Sequence, residues 1–171
     1  QKSSIPFELG IIRSHYVGRT FIEPSQTIRQ FGVKLKHSVN RSCIEDKRVI
    51  LIDDSIVRGT TASKIVKMVY EAGAKEVHLG ISCPPIKHPD FYGIDTPNYN
   101  ELIASKSNIE EMTELVGAKS LFFLSLDGTY KAMGYNERNK ELPQFTDHCF
   151  TGEYPIDISE ILKINSYNAS R

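Results

Sequence analysis

The 171-residue chain is 40% hydrophobic and 25% charged, with zero formal net charge. That suits one soluble domain with a real core, and it offers no global basic field to nucleic acid or anionic lipid. No apolar run approaches the roughly 18–20 residues that span a bilayer, and the start is not signal-like. The three cysteines (Cys43, Cys83, Cys149) are scattered without CxxC spacing, as expected of reduced thiols in cytoplasm. The chain opens on QKSSIPFELGII, without an initiator Met, which reads as the middle of an α/β domain and so as a fragment of a longer chain.

In chain order, Pro6 to Arg13 (PFELGIIR) is a short Ile-rich run that predicts a strand. Ser14 to Asp46 shows no sustained period and gathers Arg19, Arg29, Lys34, Lys36, His37 and Arg41. Most of these charges suit a solvated surface, but about thirty irregular residues inside a compact domain also suit a functional lid. Arg48 to Ile52 (RVILI) is continuously apolar, the pattern of a strand buried on both faces of a parallel sheet. Thr60 to Ala72 places Ile65, Val66, Met68 and Val69 on one helical stripe, with Gly73 as the stop. Glu76 to Ser82 (EVHLGIS) is the next strand, so the three elements form a βαβ unit with a right-handed crossover. Pro84, Pro85, Pro89 and Pro97 mark a long connection. Ser107 and Glu110 predict a capping box that opens a helix to Val116. Leu121 to Leu124 (LFFL) is a further strand, and Asp127 is a candidate cap for a last short helix. From Leu142 onward no clear period remains.

The chemistry is concentrated in Val49 to Thr61, VILIDDSIVRGTT. An apolar strand delivers Asp53 and Asp54 at its C-terminal end, the edge at which open parallel sheets bind ligands. Gly59-Thr60-Thr61 then opens a helix, whose first N–H groups and positive dipole end suit a phosphate. Ser55, Thr60 and Thr61 add hydroxyl donors. The paired acids cannot bind the phosphate, but they suit vicinal sugar hydroxyls or Mg²⁺, which takes hard oxygen ligands. A bare pair of aspartates most often caps a loop; within this segment the reading becomes a phosphorylated ribose. GxxxxGK[ST] and GxGxxG are both absent, which excludes a Walker loop and disfavours a dinucleotide site.

Two acids after an apolar strand, then a short loop ending in Gly-Thr, resemble the phosphoribosylpyrophosphate (PRPP) motif of type I phosphoribosyltransferases. The form DDSIVRGTT, with Tyr16 to Phe21 (YVGRTF) and Pro89 to Pro97 (PDFYGIDTP), resembles the glutamine PRPP amidotransferases over about Ile5 to Pro155. The resemblance implies an α/β type I phosphoribosyltransferase fold, a mainly parallel sheet with flanking helices, lacking the N-terminal part of its domain. Residues 1–141 would be that partial domain and 142–171 an irregular C-terminal tail. Asp53 and Asp54 would bind the ribose hydroxyls and Mg²⁺. Ser55, Ile56, Val57, Arg58, Gly59, Thr60 and Thr61 would wrap the 5′-phosphate. Arg13 stands where the family carries a basic residue at the loop hinge, Arg19 and Thr20 would travel with a lid, and Ile22 would line an ammonia path. The implied reaction makes 5-phosphoribosylamine and pyrophosphate from PRPP and ammonia, the start of purine synthesis. It needs no general base in the motif, because neutral ammonia is already a nucleophile.

The chain departs from the family in several ways. No N-terminal cysteine is present, so the glutaminase domain that releases ammonia from glutamine is expected to lie outside this chain, as is a pyrophosphate-binding loop. One branch of the family binds an iron–sulfur cluster, but Asp90 and Thr146 stand where two of its cysteines would, so no cluster is expected. His88 reads as a loop histidine rather than a ligand. A cytoplasmic homo-oligomer with no nucleic-acid or membrane partner is expected. Two alternatives remain open: a type I phosphoribosyltransferase that uses a nucleobase, and a non-catalytic PRPP-binding regulator. The IVRG loop favours the amidotransferase over the first, and the lack of a nucleic-acid-binding module disfavours the second.

Overall fold

The computed structural model describes residues 3–13, 37–94, 96, 98–159 and 161. Strand β1 (Ile11–Arg13) pairs antiparallel with β2 (His37–Val39), with Arg13 opposite His37. The strand is shorter than the predicted Pro6 to Arg13. Its partner offers only these residues to the ladder, and Ile5, Phe7 and Leu9 stay exposed. A four-residue helix, α1 (Arg41–Ile44), follows in a stretch that shows no period in sequence.

The second sheet is parallel, in the order β3 (Arg48–Asp53), β4 (Glu76–Ile81), β5 (Ser120–Phe123). Its register runs from Arg48 opposite Glu76 to Asp53 opposite Ile81, and from His78 opposite Ser120 to Ile81 opposite Phe123. Helix α2 (Thr60–Glu71) crosses from β3 to β4. Helices α3 (Ile103–Lys106) and α4 (Ile109–Val116) lie on the way to β5. The core forms where Val66 and Val69 of α2 and Met112 and Val116 of α4 meet Val77, Leu79, Ile81 and Leu121. All eight are buried, and this apolar burial is the main force holding the sheet to its helices.

Continuous apolarity in β3 predicts burial on both faces, and the structure corrects this. Val49 and Leu51 face the packed side, whereas Ile50 and Ile52 are 46% and 65% exposed. Phe122 of β5 is 48% exposed. Its ring lies over Gly80, where an added Cβ would come within 2.5 Å of it. The helices among the described residues thus cover one face of this sheet.

Two caps are displaced by one or two residues. The capping box of α4 is made by Asn108 and Glu111, because the Ser107 amide is used to close α3 on the Ile103 carbonyl. Helix α5 (Leu126–Ala132) is capped by the Ser125 hydroxyl, while Asp127 sits in its first turn, where its charge favours the helix dipole. Past Leu142, helix α6 (His148–Thr151) docks on the connection after β4: the Cys149 carbonyl accepts the amides of Lys87 and His88 at 2.9 and 3.1 Å.

Candidate functional site

Strand β3 carries Asp53 to the C-terminal edge of the sheet. There the Ser82 amide and hydroxyl, at the end of β4, donate to its carbonyl at 3.0 and 3.1 Å. The Asp54 amide donates to Asp53 Oδ1 at 2.9 Å, and the Ser55 hydroxyl donates to Asp54 Oδ1 at 2.9 Å. The pair is therefore oriented by its own backbone and by Ser55, with Asp54 exposed. Cys83 registers the resulting field. Burial, then the charge of Asp54, then Cys149 and Asp53 push its thiol up to about 11, so it stays protonated near neutral pH.

The chain then turns back under Ile56, which is buried, and reaches Gly59 at φ 76°, a left-handed conformation that disfavours any side chain. Gly59 is the N-cap of the twelve-residue α2; its carbonyl accepts the Ser63 amide at 2.9 Å, but it has no side-chain oxygen to offer the amides of Thr60, Thr61 and Ala62. A short loop, residues 55–58, that runs from two carboxylates to Gly59 and the uncapped helix amides can hold a phosphate beside a diol.

Among the predicted residues, Asp53, Asp54, Ser55, Gly59, Thr60 and Thr61 come together at this strand-to-helix junction. Ile56 contributes burial rather than a donor. The Val57 carbonyl is taken by the Ile103 amide at 3.0 Å, and the Arg58 guanidinium by the Glu101 carboxylate. Arg13 ends β1, while Arg19, Thr20 and Ile22 lie outside the described residues. Sequence reasoning missed Ser82, Glu101 and Ile103. They sit 29 to 46 residues away from their partners and carry no local motif.

The acids fit Mg²⁺. Among the described residues no third histidine, thiol or carboxylate joins them in a metal cage. Mg²⁺ suits such a site because it is bound through one or two carboxylates and completes its shell with water and substrate oxygens.

The Asp90 carboxylate is committed to protein donors. Its Oδ1 accepts the amides of Tyr92 and Ile94 at 2.8 and 3.0 Å, and its Oδ2 pairs with His148 Nε2 at 2.7 Å. Burial alone would raise its pKa, but these donors outweigh burial and hold it below the ordinary carboxylate value. His88 lies 3.1 Å from the Tyr99 hydroxyl. A second buried cluster lies nearby. The Tyr130 hydroxyl and Arg138 Nε donate to Asp147 Oδ2 at 2.7 and 2.6 Å, and Arg138 Nη2 also reaches Glu153 at 2.6 Å.

No protein-family model matches the chain. It is 63% identical over 156 residues to an amidophosphoribosyltransferase of Rhizobium etli, covering 91% of this chain and 32% of that protein. It is 55% identical over 160 residues to the chloroplastic amidophosphoribosyltransferase 1 of Arabidopsis thaliana, covering 94% of this chain and 27% of that one. Among solved structures, the glutamine PRPP amidotransferase of Bacillus subtilis, complexed with ADP and GMP, superposes with a TM-score of 0.77 at 52% identity. That match covers 91% of this chain and 34% of the solved one. The chain spans about a third of the length of the relatives it matches.

Proposed function

The chain belongs to the amidophosphoribosyltransferase family, and from that premise we propose that residues 53–61 hold the ribose 5-phosphate end of PRPP. The reaction is PRPP + NH₃ → 5-phosphoribosylamine + pyrophosphate, the opening step of purine synthesis. Ammonia would be drawn from glutamine by a glutaminase domain, in a homo-oligomeric cytoplasmic enzyme. Residues 1–141 would form the phosphoribosyltransferase part and 142–171 its tail. The observation that supports this reading is the junction itself: an acid pair at the tip of β3, then a left-handed Gly59 opening the uncapped α2.

The chemistry follows from that placement. Displacement at an anomeric carbon develops positive charge on the sugar while negative charge leaves with pyrophosphate. The amides that open α2 and the hydroxyls of Thr60 and Thr61 anchor the 5′-phosphate, joined by the Ser55 hydroxyl once it turns away from Asp54, fixing the ribose relative to the incoming ammonia. Asp53 and Asp54 accept hydrogen bonds from the 2′- and 3′-hydroxyls, charge-assisted contacts that hold the ring's orientation. Mg²⁺ on these carboxylates would offset the charge on the departing pyrophosphate. Arg13, with Arg19 and Thr20, would act on the same leaving group. Ammonia attacks as the neutral molecule, so no side chain has to take a proton from it before attack. The test is calorimetric titration of the full-length enzyme with PRPP and Mg²⁺. Tight binding in the unmodified enzyme, lost in the Asp53→Asn/Asp54→Asn variant, is expected; equal affinity in a folded variant overturns the reading.

A further inference from the structure

The phosphate loop is gripped from outside by a segment that carries no recognisable motif. Three successive loop residues each meet it. The Val57 carbonyl accepts the Ile103 amide at 3.0 Å, and Arg58 Nε donates to Glu101 Oε2 at 2.5 Å. Ile103 Cδ1 lies only 3.0 Å from where a Cβ on Gly59 would stand. Ile56 on the loop side and Ala104 just past Ile103 belong to one buried core, and Ile103 packs against it, so both segments are pinned to the same core. The loop's polar side chain Ser55 turns back to Asp54, so nothing within 55–58 replaces this outside support.

Resting on the functional reading above, we propose that Glu101 is a positioning residue for the phosphate cradle. It draws the guanidinium of Arg58 onto the Glu101–Ile103 segment and neutralises it, so that the loop meets the 5′-phosphate with backbone amides and hydroxyls rather than with Arg58. The ion pair is half-exposed on both sides. Such pairs add little to global stability, so the effect of Glu101 falls on loop geometry rather than on folding.

The experiment is steady-state kinetics of the full-length enzyme carrying Glu101→Gln, Arg58→Gln or both, with PRPP varied and thermal midpoints measured alongside. Glu101→Gln is expected to raise the KM for PRPP about two- to fivefold with kcat unchanged, since a half-exposed ion pair is worth that much and the phosphate contact is the same in ground and transition states. The double variant is expected to be no worse than either single one, because all three remove one interaction. Additive effects, with Arg58→Gln far more damaging than Glu101→Gln, show Arg58 on the phosphate and overturn the proposal. A lowered midpoint with unchanged KM also overturns it, by making the pair purely structural. If unmodified enzyme shows no saturable dependence on PRPP, the functional reading fails and takes the proposal with it. Saturable dependence in the unmodified enzyme with all three variants indistinguishable from it sinks the positioning role alone.

Discussion

Around Asp53–Thr61 the chain works through backbone geometry, short side chains and an exposed acid. Around Asp147 it works through long side chains that meet across the sequence in near-complete burial. Arg138 and Asp147 are 9% and 6% exposed, whereas Arg58 and Glu101 are 50% and 45% exposed. The difference teaches where stability and binding are separately stored. A buried carboxylate with three donors fixes the C-terminal segment to the fold, and its loss should be felt in folding. The exposed Asp54 and an uncapped helix leave donors and acceptors for a ligand, and their loss should be felt in binding.

That division can be broken from either side. The largest effect is expected at the strand tip. Asp53→Asn/Asp54→Asn removes two charge-assisted acceptors, worth about 3–6 kcal/mol of ligand binding, or roughly 10²–10⁴ in affinity. The melting temperature should change little, and a large fall in it would show that the acids serve the fold. The reverse case is Arg138→Ala. It leaves the Asp147 carboxylate buried without its cation and should cost about 3–5 kcal/mol in chemical denaturation. The KM for PRPP in the surviving folded enzyme should stay within twofold; a larger shift would tie the Asp147 cluster to the site.

Gly59→Val is smaller. Forcing a branched side chain into a left-handed conformation costs about 1–2 kcal/mol, and Ile103 must also give way, so PRPP affinity should fall roughly tenfold or more. Normal affinity would separate the start of α2 from the phosphate. The smallest effect is that of pH on stability. Burial would raise Asp147, but Arg138, Tyr130 and Thr151 hold it below its ordinary 3.8; Asp90 is likewise held down. A depressed folded pKa means that the unfolded chain binds protons first. The contribution is therefore complete above about pH 5 and is lost as pH falls through the ordinary and then the folded values. Denaturation midpoints should be flat from neutrality to about pH 5 on account of these groups and drop below it. The acid drop should be shallower in Asp90→Asn, and an unchanged slope would remove Asp90 from the account.

The strand tip was legible because its parts are local. β3, the acids, Gly59 and α2 follow one another within 24 residues, and each announces itself through period, charge or turn chemistry. The two buried clusters were not, because His148 meets Asp90 across 58 residues and Tyr130 meets Asp147 across 17, with no pattern linking them. Glu101 escaped for the same reason, being 43 residues from Arg58. The displaced caps are a subtler failure. Ser107 and Asn108 are both competent N-caps, and the choice between them was made by the Ile103 carbonyl, which claimed the Ser107 amide. The run RVILI misled differently: apolarity on both sides of a strand records what the strand tolerates, and α2 and α4 reach only one side.

The two faces of the three-stranded sheet also make it a built-in gauge for mutational scanning. Val77 and Leu79 have no exposed surface, so a polar residue at either should be rejected in whatever polypeptide the sheet is placed. Ile50 and Phe122 belong to the opposite face, where exposed positions ordinarily accept polar residues at less than about 0.5 kcal/mol. The ratio of tolerance at Ile50 and Phe122 to tolerance at Val77 and Leu79 therefore reads out, residue by residue, how far that second face is shielded in the molecule being assayed.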